Sequence, residues 1–288
     1  MNTKQSLAIS AALLAFPLSL PHGAHAADSA EIVASALQRL EALNATNLEI
    51  VADVSITKLL EGAVPFGTSA EGAPLVKVVD GGREVVRTAS FADEEGNHFT
   101  LEQQSIRAIM GPDGGRVFSM SGPDSYSDST LEGEQWSTVV TRPDRKPVTF
   151  KTGRSQAHWH PARYYSALAS VVQGQALPEP VGGTVTITTS DAAAGVTVTT
   201  ILDVREGELL LSSSTTVDGS GTSSESYSDF VQLDGAWTPT RVQNLRIDPD
   251  GVVIEEITYT VMSQHVLSAE EVQALVAKPA LELASPGQ

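Results

Sequence analysis

The spacing of apolar residues changes from helical to strand-like early in the chain. From Ile32 to Leu40 the apolar positions recur three and four residues apart, which predicts a helix that ends near Leu43. Asp28 followed by Glu31 fits a capping box at the start of this helix. From Leu48 to Ile56 apolar residues instead alternate with mostly polar ones, and this alternation predicts a strand with one buried face.

Further strand-like runs follow, separated by turn residues. The first half predicts strands at 75–79, 84–91, 99–110 and 116–120, and the second half predicts strands at 184–189, 196–204, 208–217, 223–233, 237–247 and 252–262. The Gly/Ala/Pro-rich stretch from Glu61 to Pro74 is predicted to be a loop. The turn "DPDG" from Asp248 predicts a hairpin between the last two strands. Many short strands of this kind are typical of a sandwich or a barrel.

A second helix interrupts the strands at "HWHPARYYSALASVV". Pro161 suits the first helical position, and Tyr164, Leu168 and Val172 then lie on one apolar face. Ser268 with Glu271 forms a capping box that predicts a short helix near the end of the chain. Two helices with apolar faces need an apolar surface to cover. The sequence therefore predicts a mainly β fold with a few helices (α+β), in which a curved antiparallel sheet or half-barrel carries an N-terminal helix and a mid-chain lid helix.

The first residues have the pattern of a secretory signal peptide. Lys4 precedes an apolar run from Leu7 to Leu20, and Ala24 with Ala26 makes an A-x-A cleavage signal. We therefore expect a signal peptide over residues 1–26, a single β-rich domain over 27–277 and a disordered tail over 278–288. The mature protein is expected in the periplasm or outside the cell, without a transmembrane segment.

Composition narrows the classes of partner. The chain contains no cysteine, so a disulfide cannot contribute to its stability. It carries 35 acidic and 18 basic residues, a net charge of −17. This balance argues against binding to nucleic acid and against resting on an anionic membrane surface. The sequence does not specify the oligomeric state.

The order of elements resembles that of the LolA/LolB/RseB-like periplasmic lipoprotein-carrier superfamily. The resemblance rests on the helix-to-strand entry "DSAEIVASALQRLEALNATNLEIVADVSI" and the late hairpin "LDGAWTPTRVQNLRIDPDGVVIEEITYTV". It implies an open β-barrel with a helical lid. It also implies a protein that binds a lipid or the acyl chain of a lipoprotein. We expect no catalysis and no cofactor, because the sequence contains no G-x-S-x-G motif, phosphate-loop lysine or dinucleotide fingerprint.

One face of the predicted strands and the lid helix could line the binding site for such a ligand. The predicted apolar lining comprises Leu48, Ile50, Val54, Ile56, Tyr164, Leu168, Val172, Ile257, Tyr259 and Val261. The same pattern is equally typical of a filled core. Two alternatives therefore stay open: an envelope structural or protein-interaction module with a filled interior, and a hydrolase on the same scaffold.

Other motifs give weaker signals. His158 and His160 could share a metal with His98 or His265, or they could pack at the entrance of the second helix. Boxes at Ser55, Ser127 and Lys151 match those of penicillin-binding enzymes in order, but the first lies in a predicted strand instead of a helix. The Thr/Ser-rich strands over 184–228 are typical of outward sheet faces, and an adhesive surface is the alternative.

Overall fold

Most of the chain after the N-terminal segment is built from long antiparallel strands. The computed structural model describes residues 29–112, 114–122, 124–132, 135–153 and 159–283. The helices over these residues are α1 Ser29–Asn44, α2 Pro161–Val172, α3 Ala269–Val276 and α4 Ala280–Leu283. The strands before α2 are β1 Leu48–Leu59, β2 Val64–Thr68, β3 Pro74–Asp80, β4 Arg83–Thr88, β5 Phe91–Ala92, β6 His98–Gly111, β7 Gly114–Gly122, β8 Ser125–Glu132, β9 Gln135–Arg142 and β10 Arg145–Gly153. The strands after α2 are β11 Thr184–Asp191, β12 Val196–Arg205, β13 Glu208–Asp218, β14 Gly221–Leu233, β15 Ala236–Ile247 and β16 Val253–Val266.

A large sheet of 13 strands organises the fold. Its order is β10-β9-β8-β7-β6-β1-β16-β15-β14-β13-β12-β11, with β5 paired to β6. β1 lies in the middle and pairs antiparallel with both β6 and β16, so it joins the two halves of the chain. β10 and β11 form the two edges, and the sheet is therefore open. A separate sheet of three strands has the order β2-β3-β4.

The core lies between the inner face of the large sheet and helices α1 and α2. Alternate residues of β1 from Leu48 to Val54 are buried in one cluster with Tyr164 and Leu168 of α2. The ring of Tyr164 packs edge-to-face against Tyr227, with 5.2 Å between ring centroids. The predicted curved antiparallel sheet with an N-terminal helix and a mid-chain helix is thus confirmed.

The predicted hairpin near residue 248 is also present. β15 and β16 pair antiparallel around a turn in which Gly251 has φ +89°, a left-handed conformation that glycine adopts without steric cost. The Asp248 carboxylate accepts hydrogen bonds from the backbone N–H groups of Asp250 and Val252. These bonds satisfy backbone donors that the two-strand ladder leaves free.

Three sequence expectations need correction. The predicted loop from Glu61 to Pro74 contains β2, which pairs with β3 in the small sheet. The run predicted as one strand over 84–91 divides between β4 and β5, which belong to different sheets. Strands β8, β9 and β10 were not predicted at all. Ser125–Glu132 reads "SYSDSTLE", in which few apolar residues mark the alternation.

The predicted disordered tail is corrected for residues 278–283. Residues 280–283 form α4, and Leu283 is only 1% exposed because it packs against Ile109 and Phe118. The Arg116 guanidinium donates to the backbone carbonyls of Val276 and Lys278, which holds the segment on the outer face of the sheet. A single buried leucine after a proline was too short a pattern to predict this packing. Residues 284–288, like the predicted signal peptide at 1–26, lie outside the described residues.

Candidate functional site

The ten residues predicted to line a ligand site lie in one apolar cluster on the inner face of the sheet. Buried members are Leu48, Ile50, Val54, Tyr164, Leu168, Val172 and Val261, and partly buried members are Ile56, Ile257 and Tyr259. The structure therefore brings the ten predicted residues together, but most of them are buried in the contact between α2 and the sheet. Their contact with a ligand stays a prediction.

A small cleft opens beside this cluster, between α1, α2 and the turn that joins β12 to β13. Its volume is about 60 Å³, and its walls include Ile32, Ala36, Leu168 and Leu209. Ligand pockets usually measure about 300–1,000 Å³. The cleft is therefore too small for a lipid as it stands, and a larger apolar ligand would enter only if α1 and α2 moved away from β13. Leu168 is the member of the predicted set that lines this cleft.

A hydrogen-bonded group around Arg39 forms part of the lining of the cleft. The Arg39 guanidinium of α1 donates to both carboxylate oxygens of Glu208, at 2.7 and 2.8 Å, and to the Tyr165 hydroxyl at 3.0 Å. The Tyr165 hydroxyl in turn donates to the backbone carbonyl of Trp237 at 2.8 Å. This group therefore connects α1, α2, β13 and β15. We use the name Arg39 clasp for Arg39, Glu208 and Tyr165.

Partial burial strengthens the electrostatics of this clasp. The Arg39 and Glu208 side chains are 20% and 22% exposed. Burial alone would lower the pKa of Arg39, but the hydrogen bond to Glu208 and the neighbouring Tyr165 raise it above its ordinary value. Burial also raises the pKa of Tyr165, while Arg39 opposes that rise. Arg39 is thus cationic and Tyr165 is neutral at physiological pH.

A second tyrosine, Tyr164, connects α2 to the sheet. The Tyr164 hydroxyl accepts a hydrogen bond from the backbone N–H of Leu211 at 2.9 Å. The register of β12 and β13 shifts nearby, between Ile201 and Leu202, where the ladder is irregular. Burial raises the pKa of Tyr164, so the hydroxyl stays protonated.

The inner face of the sheet continues beyond the helices onto β9 and β10. Antiparallel partners share a face, and this relation places Val148 opposite Val140, and Phe150 opposite Thr138. Following the register through β8, β7 and β6 connects these residues to the buried face of β1. Val148 is 60% exposed and Phe150 is 46% exposed. Apolar side chains thus remain open to solvent on the side of the sheet that elsewhere forms the core.

Of the predicted histidine pair, His160 alone lies among the described residues. The His160 side chain is buried and caps α2, since its Nδ1 accepts from the backbone N–H of Ala162 at 3.1 Å. The expected helix-entry role of His160 is therefore confirmed. Nowhere in the described ranges do three or more His, Cys, Asp or Glu side chains gather in a way that could hold a metal. His158 lies outside those ranges.

The penicillin-binding-enzyme boxes lack the context that their chemistry needs. Ser55 and Lys58 lie on strand β1, not on a helix, and Lys58 pairs with Glu255 at 2.9 Å. Ser127 lies on β8, and Lys151 is exposed on β10. Three residues along a strand place Ser55 and Lys58 on opposite faces, so a lysine base cannot activate the serine there.

Sequence reasoning missed the Arg39 clasp, although one signal was present. Arg39 follows Ala36 by three residues and precedes Leu43 by four, so it lies on the buried face of α1. A charge on such a face needs a partner, because an unpaired buried charge is costly. The partner itself could not be predicted, because Glu208 lies 169 positions away in the chain.

Comparisons with known proteins give structural likeness at low identity. A LolA superfamily protein from Nitrosomonas europaea aligns with a TM-score of 0.41 at 12% identity, over 82% of this chain and 94% of that one. A beta-barrel-like protein of the DUF1849 domain of unknown function from Brucella abortus aligns with a TM-score of 0.24 at 14% identity, over 78% of this chain and 99% of that one. No family model matches the sequence, and no curated protein does so either.

Within the described residues, none of the helices combines the length and the apolar character that crossing a membrane would require.

Proposed function

We propose that this protein is an exported, non-catalytic binding or carrier protein for an apolar ligand, such as a lipid or the acyl chain of a lipoprotein. The observation that carries the proposal is the pair of exposed apolar side chains, Val148 and Phe150, on the inner face of β10. The strand register places these two residues on the same face as the buried cluster beneath α2, with Ser127, Ser129 and Thr138 of β8 and β9 lying between. Exposed apolar surface on a concave face is typical of a ligand site.

The Arg39 clasp gives this carrier a closed state. α1 and α2 lie over the core, and the clasp, which lines the narrow cleft, fastens α1 to the first residue of β13. An acyl chain would first contact the exposed part of the face on β9 and β10. It would then occupy the space that opens when the clasp releases and α1 moves outward. The signal-peptide pattern supports a periplasmic location for this cycle.

Binding of a fluorescent fatty acid tests the proposal at a chosen residue. Phe150→Glu places a charge on the exposed inner face and is expected to weaken binding by about tenfold to 100-fold, because burying a phenylalanine contributes about 1.5–3 kcal/mol. Val79→Glu is the matched control, since Val79 is also exposed but lies on the small sheet. Equal binding by both variants, or no binding by the unaltered protein, would contradict the proposal.

A filled-core interaction module remains the second candidate. The observation that favours it is the packing beneath α2, where seven of the ten predicted lining residues are buried among protein atoms. In that case the unaltered protein would bind no fatty acid, and the exposed residues of β10 would serve a protein partner alone.

A further inference from the structure

The edge strand β10 carries an unusual concentration of positive charge. Arg142, Arg145, Lys146 and Lys151 lie within ten residues that contain one acidic residue, Asp144, a local charge of 4 − 1 = +3. The whole chain has a net charge of −17. We call β10 and these four cations the basic edge.

The cations of the basic edge have no acidic partner among the described residues, although carboxylates are abundant. Elsewhere, Arg39, Lys58 and Arg107 each lie within 3.0 Å of a carboxylate oxygen. All residues of β10 are exposed, and so is Arg142. The positive charge is thus left available to a ligand that approaches from solvent.

The backbone of β10 is also available. Among the described residues β10 pairs with β9 alone, so its other side presents free N–H and C=O groups. From Val148 to Gly153 the pairing with β9 is regular, and this run contains no proline. Such an edge is the surface to which an extended peptide adds as a further strand.

We propose that the basic edge binds an extended acidic segment of another protein, which adds to β10 as an extra strand. The free backbone groups would hold the segment, and Arg145, Lys146 and Lys151 would attract its carboxylates. Val148 and Phe150 would contact its apolar residues on one face. An anionic membrane fits less well, because lipid head groups do not use a strand edge and the remainder of this acidic chain would be repelled.

Lysines and a proline also protect strand edges against aggregation, and Pro147 lies at the irregular start of the pairing with β9. Protection alone explains the charges but not the exposed Val148 and Phe150, which make an edge more adhesive. The two explanations differ in one measurable respect. If the charges only protect the edge against aggregation, β10 should not bind a strand-forming peptide better than a peptide that cannot form a strand.

Fluorescence anisotropy with short synthetic peptides tests the proposal on the full protein. The probe is a fluorescein-labelled peptide of alternating valine and aspartate. Its two comparisons are a version with lysine in place of aspartate and a version with alternate valines replaced by proline, which cannot form a strand ladder. We expect the acidic peptide to bind, the other two to bind at least about tenfold more weakly, and the affinity to fall with added salt.

A charge-reversal pair locates the site. Lys146→Glu with Lys151→Glu is expected to weaken acidic-peptide binding by about tenfold or more, whereas Arg83→Glu with Arg241→Glu makes the same change in net charge elsewhere and should leave it unchanged. Circular dichroism confirms that both variants fold. Equal affinity for the proline peptide, or equal loss in both variants, would overturn the proposal. So would binding to phosphatidylglycerol vesicles without peptide binding, or self-association in sedimentation that the Lys146/Lys151 variant abolishes.

Discussion

Breaking the Arg39 clasp should destabilise the fold by a measurable and assignable amount. Glu208→Gln removes the carboxylate and leaves the Arg39 guanidinium, which is 20% exposed, without its anion. A hydrogen bond to a charged group contributes about 1.5–3 kcal/mol to stability, whereas a fully exposed ion pair contributes about 0.2–1 kcal/mol. The clasp has two short hydrogen bonds between side chains that are about one-fifth exposed, so its contribution to stability should lie between these two values. We expect the free energy of unfolding to fall by about 2 kcal/mol.

A double-mutant cycle separates the clasp from other effects of the substitutions. Urea unfolding of Arg39→Met, Glu208→Gln and the double variant should give a coupling energy of about 1–2 kcal/mol. Lys58 with Glu255 is the control pair, because Lys58 is 56% exposed and its coupling should stay below about 1 kcal/mol. A coupling for the clasp below about 0.5 kcal/mol would refute the view that it fastens α1 to the sheet.

Three further predictions concern stability. His160→Ala should lower the free energy of unfolding by about 1 kcal/mol because the side-chain cap of α2 is lost, whereas His160→Asn should keep most of the stability. Urea unfolding measures both variants, and an equal loss of stability in both would exclude a capping role. Burial raises the pKa of Tyr164, and burial together with the carboxylate of Glu225 raises the pKa of Tyr227. The stability that these neutral tyrosines contribute is therefore complete below the ordinary tyrosine pKa of about 10 and declines as pH rises through the folded-state pKa. Circular dichroism against pH should show cooperative alkaline unfolding, and gradual ionisation of these tyrosines in a folded protein would contradict this expectation. Leu283→Ala should cost about 2 kcal/mol in thermal unfolding because its side chain is fully covered, whereas no change would mean that α4 does not hold to the sheet.

The sequence contained enough information for the centre of the fold. Apolar and polar residues alternate clearly from Leu48 to Ile56 because one face of β1 is buried. This strand also pairs with a neighbouring strand on each side. Pro161 and the spacing of Tyr164, Leu168 and Val172 marked α2, whose apolar face meets that core. These elements are predictable because local pattern and tertiary burial agree.

The edges of the fold were harder to predict for a physical reason. β10 is exposed at every residue, so no buried face imposes alternation on its sequence. β2 is likewise exposed throughout, and its glycine and proline favoured a loop. The Arg39 clasp depends on three residues, Arg39, Tyr165 and Glu208, which lie far apart in the sequence and meet only in the folded chain. A pattern within a local window does not record such long-range contacts.

Native mass spectrometry of the purified protein, followed by organic extraction and lipid analysis of the same sample, determines whether the protein carries an apolar ligand. We expect a stoichiometric lipid or acylated species that remains bound under gentle ionisation and appears in the extract. A protein that carries no such species, and that also fails to bind added fatty acids or phospholipids, would contradict the carrier function and favour the filled-core interaction module.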